Sequence, residues 1–400
     1  MSMLPAYSPL IRYWQINPEI VYLNHASFGA CPLPVYEQQR NFMDEQEKEA
    51  VDFFVNHLPG HYAAAKQKLA ETLGADPNDL VFVPNTTTGV NTILHALPSK
   101  AGDEWLTTSH AYGACALAMQ HYAKQKNCQV NVAPIPFPLQ TKQEVIDAIE
   151  KAITPKTTFA MIDHITSATG SIFPVEELIA LLHRHNILVL IDGAHAPGMV
   201  DLNIAALGAD FYVGNCHKWL FTPKGSALMH VQPQHQSWVT PLVISHFNDK
   251  AAGTAAHWSN QFLWDGTHDF SAFLSVKAGI EFGEVVLDGA WPAIRKHNRD
   301  LALQAGHYLC DLMHTTMPAP DDMIGFLVNV KVPDGEIPPG AKYNYTTHLK
   351  RILFEKYKIE VPVFYFPAAP QQWVRISTQV YNTMEQYEYL GECLKKEFNL

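Results

Sequence analysis

The chain has 400 residues, 47% hydrophobic and 17% charged, with 20 Phe, 16 Tyr and 8 Trp. At ~150 residues per domain this length suggests two or three folded units, and the composition is far from that of disordered chains. The 28 basic and 39 acidic side chains leave a net charge of -11, and no Lys/Arg run is long enough to follow a phosphate backbone, which argues against nucleic acid as a partner.

Nothing near the start has a charged region followed by an apolar one, and no stretch of ~18 apolar residues occurs, so no membrane span is expected and a cytoplasmic location is. The six cysteines, Cys31, Cys115, Cys128, Cys216, Cys310 and Cys393, form no CxxC pair. That pattern suits reduced thiols better than a disulfide framework or a zinc site.

In chain order, residues 60–73 predict an amphipathic helix, and Leu80 to Val83 a short apolar strand that runs into the polar turn Asn85 to Gly89, where a helix starts. Glu104 to Thr107 reads as a strand before the segment SHAYGA. The strand-like runs Thr158 to Ile162, Leu188 to Ile191 and Asp210 to Val213 alternate with helical stretches such as Val175 to His185. This rhythm predicts a mostly parallel sheet covered on both faces. His183 and His185 read as part of a solvated helix face. After about residue 275 the texture changes to a long helix over Trp291 to Met313, a Pro-rich interval at Pro318 to Pro320, a strand over Gly325 to Val332, and a loop from Pro333 to Gly340. Trp373 to Thr378 is again strand-like. A second, smaller α+β domain is expected there, and no repeats or low-complexity tracts occur.

The chemistry concentrates in LVLIDGAHAPG at 188–198 and DFYVGNCHKWLFTPKG at 210–225. The first strand ends at Asp192, at the carboxyl edge where open α/β sheets bind ligands. The second leads to His217 and Lys218. An Asp and a Lys on neighbouring strand ends can be a plain ion pair. They also match what a pyridoxal cofactor needs: a lysine to hold its aldehyde and a carboxylate to keep its ring nitrogen protonated. Asn85, Thr86, Thr87, Thr88 and Gly89 lie at a helix start, where hydroxyls and free amides converge on a phosphate, although such a cluster is more often only an N-cap. Tyr112 could cover one face of a flat cofactor, or pack in the core. A metal site from Asp192, His195 and His217 lacks any H-E-x-x-H or cysteine-rich partner set. Neither G-x-S-x-G nor G-x-G-x-x-G is present.

Together these motifs, with the opening YLNHASFGACP, resemble the class V aminotransferase family of fold-type I pyridoxal 5'-phosphate (PLP) enzymes, in its isopenicillin N epimerase-like branch. The match runs from about Val21 to Tyr381. The resemblance implies an α/β fold with a mostly parallel seven-stranded sheet in a large PLP-binding domain (21–275) and a small C-terminal α+β domain (276–400). An N-terminal segment (1–20) would pack on the small domain. It implies that Lys218 forms the Schiff base, that Asp192 pairs with the pyridine nitrogen, and that His195 sits near the phenolic oxygen. Tyr112 would stack on the ring, Thr86 and Thr87 hold the phosphate, and Ser167, Asn215 and His217 complete the cofactor contacts. Thr267, in WDGTHDF, would reach a partner subunit's phosphate, which implies a homodimer. Arg375, in WVRIST, would clamp the substrate carboxylate, with Asn24 and His25 nearby. Lys224 is the rival Schiff-base lysine, but its P-K-G setting reads as a turn, while Trp219, Leu220 and Phe221 would desolvate Lys218.

Epimerisation, transamination and β-elimination all start by removing a proton from Cα, and the opening motif favours an epimerase. A desulfurase is disfavoured because no cysteine lies between Asp311 and Glu392. Trp258, Trp264, Tyr365 and Phe366 are candidates for an apolar wall, and a non-catalytic PLP sensor is the alternative of another class.

Overall fold

The computed structural model describes residues 4–247, 257–336 and 347–400. The first strand, β1 (Val21–Tyr22), stands apart from the main sheet. That sheet is built from β2 (Leu80–Val83), β3 (Glu104–Thr108), β4 (Gln129–Ala133), β5 (Thr157–Asp163), β6 (Leu188–Asp192), β7 (Phe211–Asn215) and β8 (Ala227–Val231). Its order is β2-β8-β7-β6-β5-β3-β4. The ladders joining β4, β3, β5, β6 and β7 are parallel, whereas β8 runs antiparallel to both β7 and β2. The sheet is therefore mostly parallel and seven-stranded, as expected.

β5, β6 and β7 are near-continuous apolar runs because helices cover both faces. On one face the helices Thr86–Ala96 and Gly113–Gln125 pack Val90, Ile93, Leu94 and Met119 over Phe159, Met161 and Leu190. On the other, Val175–Arg184 buries Leu178, Ile179, Leu181 and Leu182 with Ala160, Ile162 and Ile191. Fully burying each such side chain contributes roughly 1.5–3 kcal/mol.

The helix read to His185 ends at Arg184, and its polar face is not uniformly solvated. His185 is exposed, but His183 Nε2 lies 2.9 Å from Asp210, whose other carboxylate oxygen is 2.7 Å from His235 Nε2. Asp210 itself precedes β7 rather than opening it, and accepts the Val189 amide at 2.8 Å.

A second sheet, antiparallel throughout, joins β9 (Leu327–Val332), β11 (Val363–Tyr365) and β12 (Gln372–Ser377) in the order β11-β12-β9. Its cover is the 23-residue helix Ala290–Leu312 and the C-terminal helix Met384–Phe398. The loop read over 333–340 is described only as far as Glu336. β1 pairs in parallel with β10 (Ile359–Glu360), Val21 opposite Ile359.

The residues before β1 also meet this part of the chain. Ser8 donates from its amide to the Tyr381 carbonyl at 2.9 Å and from its hydroxyl to the Val380 carbonyl at 2.7 Å. Trp14 bridges to the main sheet's loops, its ring edge-on to Tyr381, Phe221 and Phe282. Among the described residues no helix is long and apolar enough to cross a membrane.

Candidate active site

β7 ends at Asn215 and turns at once into a one-turn helix, Cys216–Trp219, that carries Lys218. Backbone packs directly on this turn. A Cβ on Gly29, whose φ is +69°, would come within 1.9 Å of the His217 carbonyl oxygen, and one on Gly198 (φ +88°) within 2.5 Å of that of Trp219. Only glycine permits both the approach and the left-handed backbone.

His25 completes the grip. Its Nε2 lies 2.7 Å from the Lys218 carbonyl, its Nδ1 2.9 Å from the Tyr381 hydroxyl, and its ring lies over Trp219 with centroids 4.8 Å apart. Both ring nitrogens thus contact the protein, one at the Lys218 backbone and one at Tyr381. Asn24 is likewise committed, accepting the Ser27 hydroxyl at 2.5 Å and donating to Glu360 at 3.1 Å.

The Lys218 amine sits 2.9 Å from His195 Nε2. The Trp219 indole N–H, which can only donate, points to His195 Nδ1 at 3.3 Å. A neutral imidazole carries one proton; with the indole N–H on Nδ1 that proton resides on Nε2, an arrangement that favours the free-amine form of Lys218. Burial, then the Arg375 charge, lowers the Lys218 amine to about 8, against the opposing pull of Asp192, Cys115 and Asp163. Burial and the Lys218 charge hold His195 well below the usual histidine range. Lys224, by contrast, is exposed and lines a separate cavity of about 510 Å³ with Trp14, Tyr22 and Glu360.

Asp192 closes β6 on the same edge and is buried. It accepts the Ala194 amide at 3.0 Å and a hydrogen bond from the Cys115 thiol, while burial raises its pKa above the ordinary carboxylate value.

At the start of the Thr86 helix both readings of the polar cluster hold, for different residues. Asn85 caps the helix, accepting the Thr88 amide at 2.9 Å and hydroxyl at 3.1 Å. Asn215, expected among the cofactor contacts, accepts the Thr86 amide on its Oδ1 at 3.0 Å and so ties the helix start to the end of β7. The Thr86 hydroxyl is buried without a hydrogen-bond partner, an uncommon and costly state that an anion at this helix N-terminus would relieve. Thr87, the next residue, is half-buried.

His217 Nδ1 lies 2.8 Å from the Ser226 carbonyl, and burial lowers its pKa to about 4. A buried lysine amine, a strand-end carboxylate and an orphaned hydroxyl at a helix start are the three contacts PLP requires, and the residues present fit it.

Tyr112 precedes the Gly113 helix and is 39% exposed, which suits a ring facing a cleft rather than one packed in the core. Arg375, on β12, is buried rather than a surface ion-pair partner; it donates to the Ser167 carbonyl and, at 3.3 Å, to the Ser27 hydroxyl. Ser167 therefore meets Arg375 through its backbone. Thr267 is exposed. Of the proposed wall, Trp258 is core, with its indole N–H on the Val239 carbonyl at 2.8 Å. Trp264 stacks on Phe270, Tyr365 donates to the Glu336 carbonyl at 2.6 Å, and Phe366 packs edge-on to His110 and Phe137.

Sequence reasoning missed Cys115, Ser27 and Asp163. The last had a signal: FAMID at 159–163 repeats the apolar-run-then-Asp pattern of LVLID at 188–192.

A family model for class-V aminotransferases matches residues 21–390. The chain is 28% identical to isopenicillin N epimerase of Streptomyces clavuligerus, covering 95% of each chain. It is also 28% identical to a probable chloroplastic L-cysteine desulfhydrase of Arabidopsis thaliana, over 94% of this chain and 83% of the relative. Among solved structures, C-DES with glycine covalently linked to its PLP cofactor aligns with TM-score 0.81 at 20% identity, covering 97% of this chain and 99% of the other. The cysteine desulfurase CsdA of Escherichia coli aligns with TM-score 0.77 at 20% identity, covering 97% of both chains.

Proposed function

From the chain's membership of the class-V aminotransferase family, to which it belongs as a PLP-dependent enzyme, we infer that it removes the Cα proton of a small amino acid with Lys218 and completes a carbon-sulfur β-elimination. The observation that carries this is the buried Lys218 amine, 2.9 Å from His195 Nε2, with the His195 Nδ1 taken by the Trp219 indole N–H. When bound, PLP supplies an electron sink that weakens bonds at Cα.

The protein's own groups do the rest. With PLP bound, Lys218, buried and with its amine lowered to about 8, would hold the cofactor aldehyde and would take the Cα proton of the substrate. Asp192 would face the ring nitrogen. Thr86 and Thr87 would hold the phosphate, and Arg375 would orient the substrate carboxylate.

One proton-carrying amine is sufficient for elimination. His195 has both ring nitrogens engaged and is poorly placed to serve as a second base on the opposite face, which shifts the reading away from the epimerase that the opening motif favours. Loss of the Cα proton and of a thiolate from Cβ leaves a dehydro amino acid, which hydrolyses to pyruvate and ammonia. Cys310 and Cys393 lie buried in helices, a poor setting for a sulfur acceptor, so the sulfur leaves as free thiol or sulfide.

Epimerisation remains the second reading, supported by the isopenicillin N epimerase relative. A homodimer with Thr267 reaching the partner's site belongs to the same proposal. The deciding experiment incubates the holoenzyme with L- and D-cysteine, cysteine conjugates and other amino acids in D2O. Pyruvate with stoichiometric thiol or sulfide supports elimination. Cα deuteration with inversion and no pyruvate would replace it with epimerisation, and keto acid retaining the side chain would replace it with transamination.

A further inference from the structure

Asp163 has no part in the site described so far, yet it ends β5 as Asp192 ends β6. The two are register partners across a parallel ladder. Met161 and Leu190, two residues back on each strand, belong to one core layer with Cys115, so both carboxyl groups project to that face. Each residue is 3% exposed. Two carboxylates at strand spacing, ~5 Å, in a water-excluded place cannot both ionise, because repulsion adds to desolvation.

The surrounding donors decide which acid keeps the proton. Asp192 has the Ala194 amide, the Cys115 thiol and the facing Lys218 amine. Asp163 has the Tyr112 amide and its own, and burial followed by the Asp192 charge pushes it well above the carboxylate range. Of the other titratable groups facing the pair, burial keeps the Cys115 thiol and the Tyr212 phenol neutral at pH 7, while Lys218, lowered to about 8, retains positive charge that draws Asp192 down.

We propose that Asp163 is a positioning residue of the cofactor pocket. As a neutral acid beside Asp192 it leaves a single carboxylate to face the ring nitrogen, and its carbonyl oxygen holds the amide of Tyr112. The proposal rests on the assignment of Asp192 to that nitrogen. Were Asp163 ionised instead, Asp192 would meet a second negative charge and would itself be the group driven neutral.

The test compares native protein with Asp163→Asn, Asp163→Ala and Asp192→Asn, as apoprotein and reconstituted with PLP. Asn copies a protonated Asp in charge, shape and carbonyl acceptor, whereas Ala keeps neither acceptor nor shape. The expected infrared difference between native protein and Asp163→Asn at neutral pH contains the C=O band of a protonated carboxyl group. Asp163→Asn keeps PLP affinity within about twofold and keeps the visible spectrum. Asp163→Ala loses one hydrogen bond to Tyr112 and weakens PLP roughly fivefold. Absence of the protonated-carboxyl band, or a tenfold or greater loss of PLP affinity in Asp163→Asn, would overturn the proposal. If Asp192→Asn kept native spectrum and turnover, the ring-nitrogen assignment would fall instead, while the infrared band would still report on Asp163 alone.

Discussion

Replacing Trp219 with Phe should slow capture of PLP by the apoprotein about fivefold at neutral pH. Lys218 sits at about 8, so at pH 7.5 roughly one quarter of the amine is free, against about one part in a thousand for an ordinary lysine. Burial and then the Arg375 charge produce that lowering; the indole N–H on His195 Nδ1, 3.3 Å away, should add to it by keeping the ring proton on Nε2 facing the amine. Phe retains most of the side-chain volume and removes the donor. His195 is then free to take the other tautomer and accept from a lysine ammonium. A hydrogen bond of ~1 kcal/mol corresponds to about 0.7 of a pKa unit, or roughly fivefold in free amine below the pKa. The assay follows growth of visible absorbance after mixing apoprotein with PLP between pH 6 and 10, with circular dichroism as the folding control and Lys218→Ala as the blank. The native profile should have its midpoint near pH 8 and the variant's at higher pH. Superimposable profiles would show that the indole does not set the lysine's state, and a native inflection in the ordinary lysine range would refute the free-amine argument altogether.

Asp192→Asn should retain PLP through Thr86 and Thr87 while losing most turnover, because an amide cannot stabilise charge on the ring nitrogen; wild-type turnover would make Asp192 a structural acid. Arg375→Ala should raise KM at least tenfold with a much smaller effect on PLP affinity, since a buried guanidinium–carboxylate contact exceeds the ~1 kcal/mol of a surface pair; steady-state kinetics and PLP titration together decide it. Gly29→Ala should destabilise by about 2–4 kcal/mol, from the left-handed backbone and the 1.9 Å approach to the His217 carbonyl, and denaturant unfolding should show it. An unchanged midpoint would mean that the loop yields easily.

Local pattern made the main sheet legible. Buried parallel strands read as unbroken apolar runs, and a carboxylate that ends such a run marks the ligand edge, which is why Asp192 and Lys218 stood out. The polar cluster at 85–89 was ambiguous because capping and anion binding use the same atoms; only three-dimensional contacts assign Asn85 and Thr88 to the cap and leave the Thr86 hydroxyl unmatched. His25 could not be assigned from sequence. Its partners are 193 and 356 residues away, and no periodicity reports such a pairing. The contacts of Asn24, Ser167 and Asn215 were illegible for a related reason: their partners Glu360, Arg375 and Thr86 lie 336, 208 and 129 residues away.

The clasp formed by β1, His25 and the Cys216 turn bears on how the protein is made. Val21 needs Ile359, His25 needs Tyr381, and Arg375 reaches back to Ser27. A chain emerging from the ribosome displays Lys218 long before any of these late residues exist, so the first thirty residues can reach the Cys216 turn early but gain their far-end partners only when nearly the whole polypeptide has been synthesised. A fragment ending before residue 359 would contain Thr86, Asp192 and Lys218, yet would lack the far-end anchors of the lysine turn.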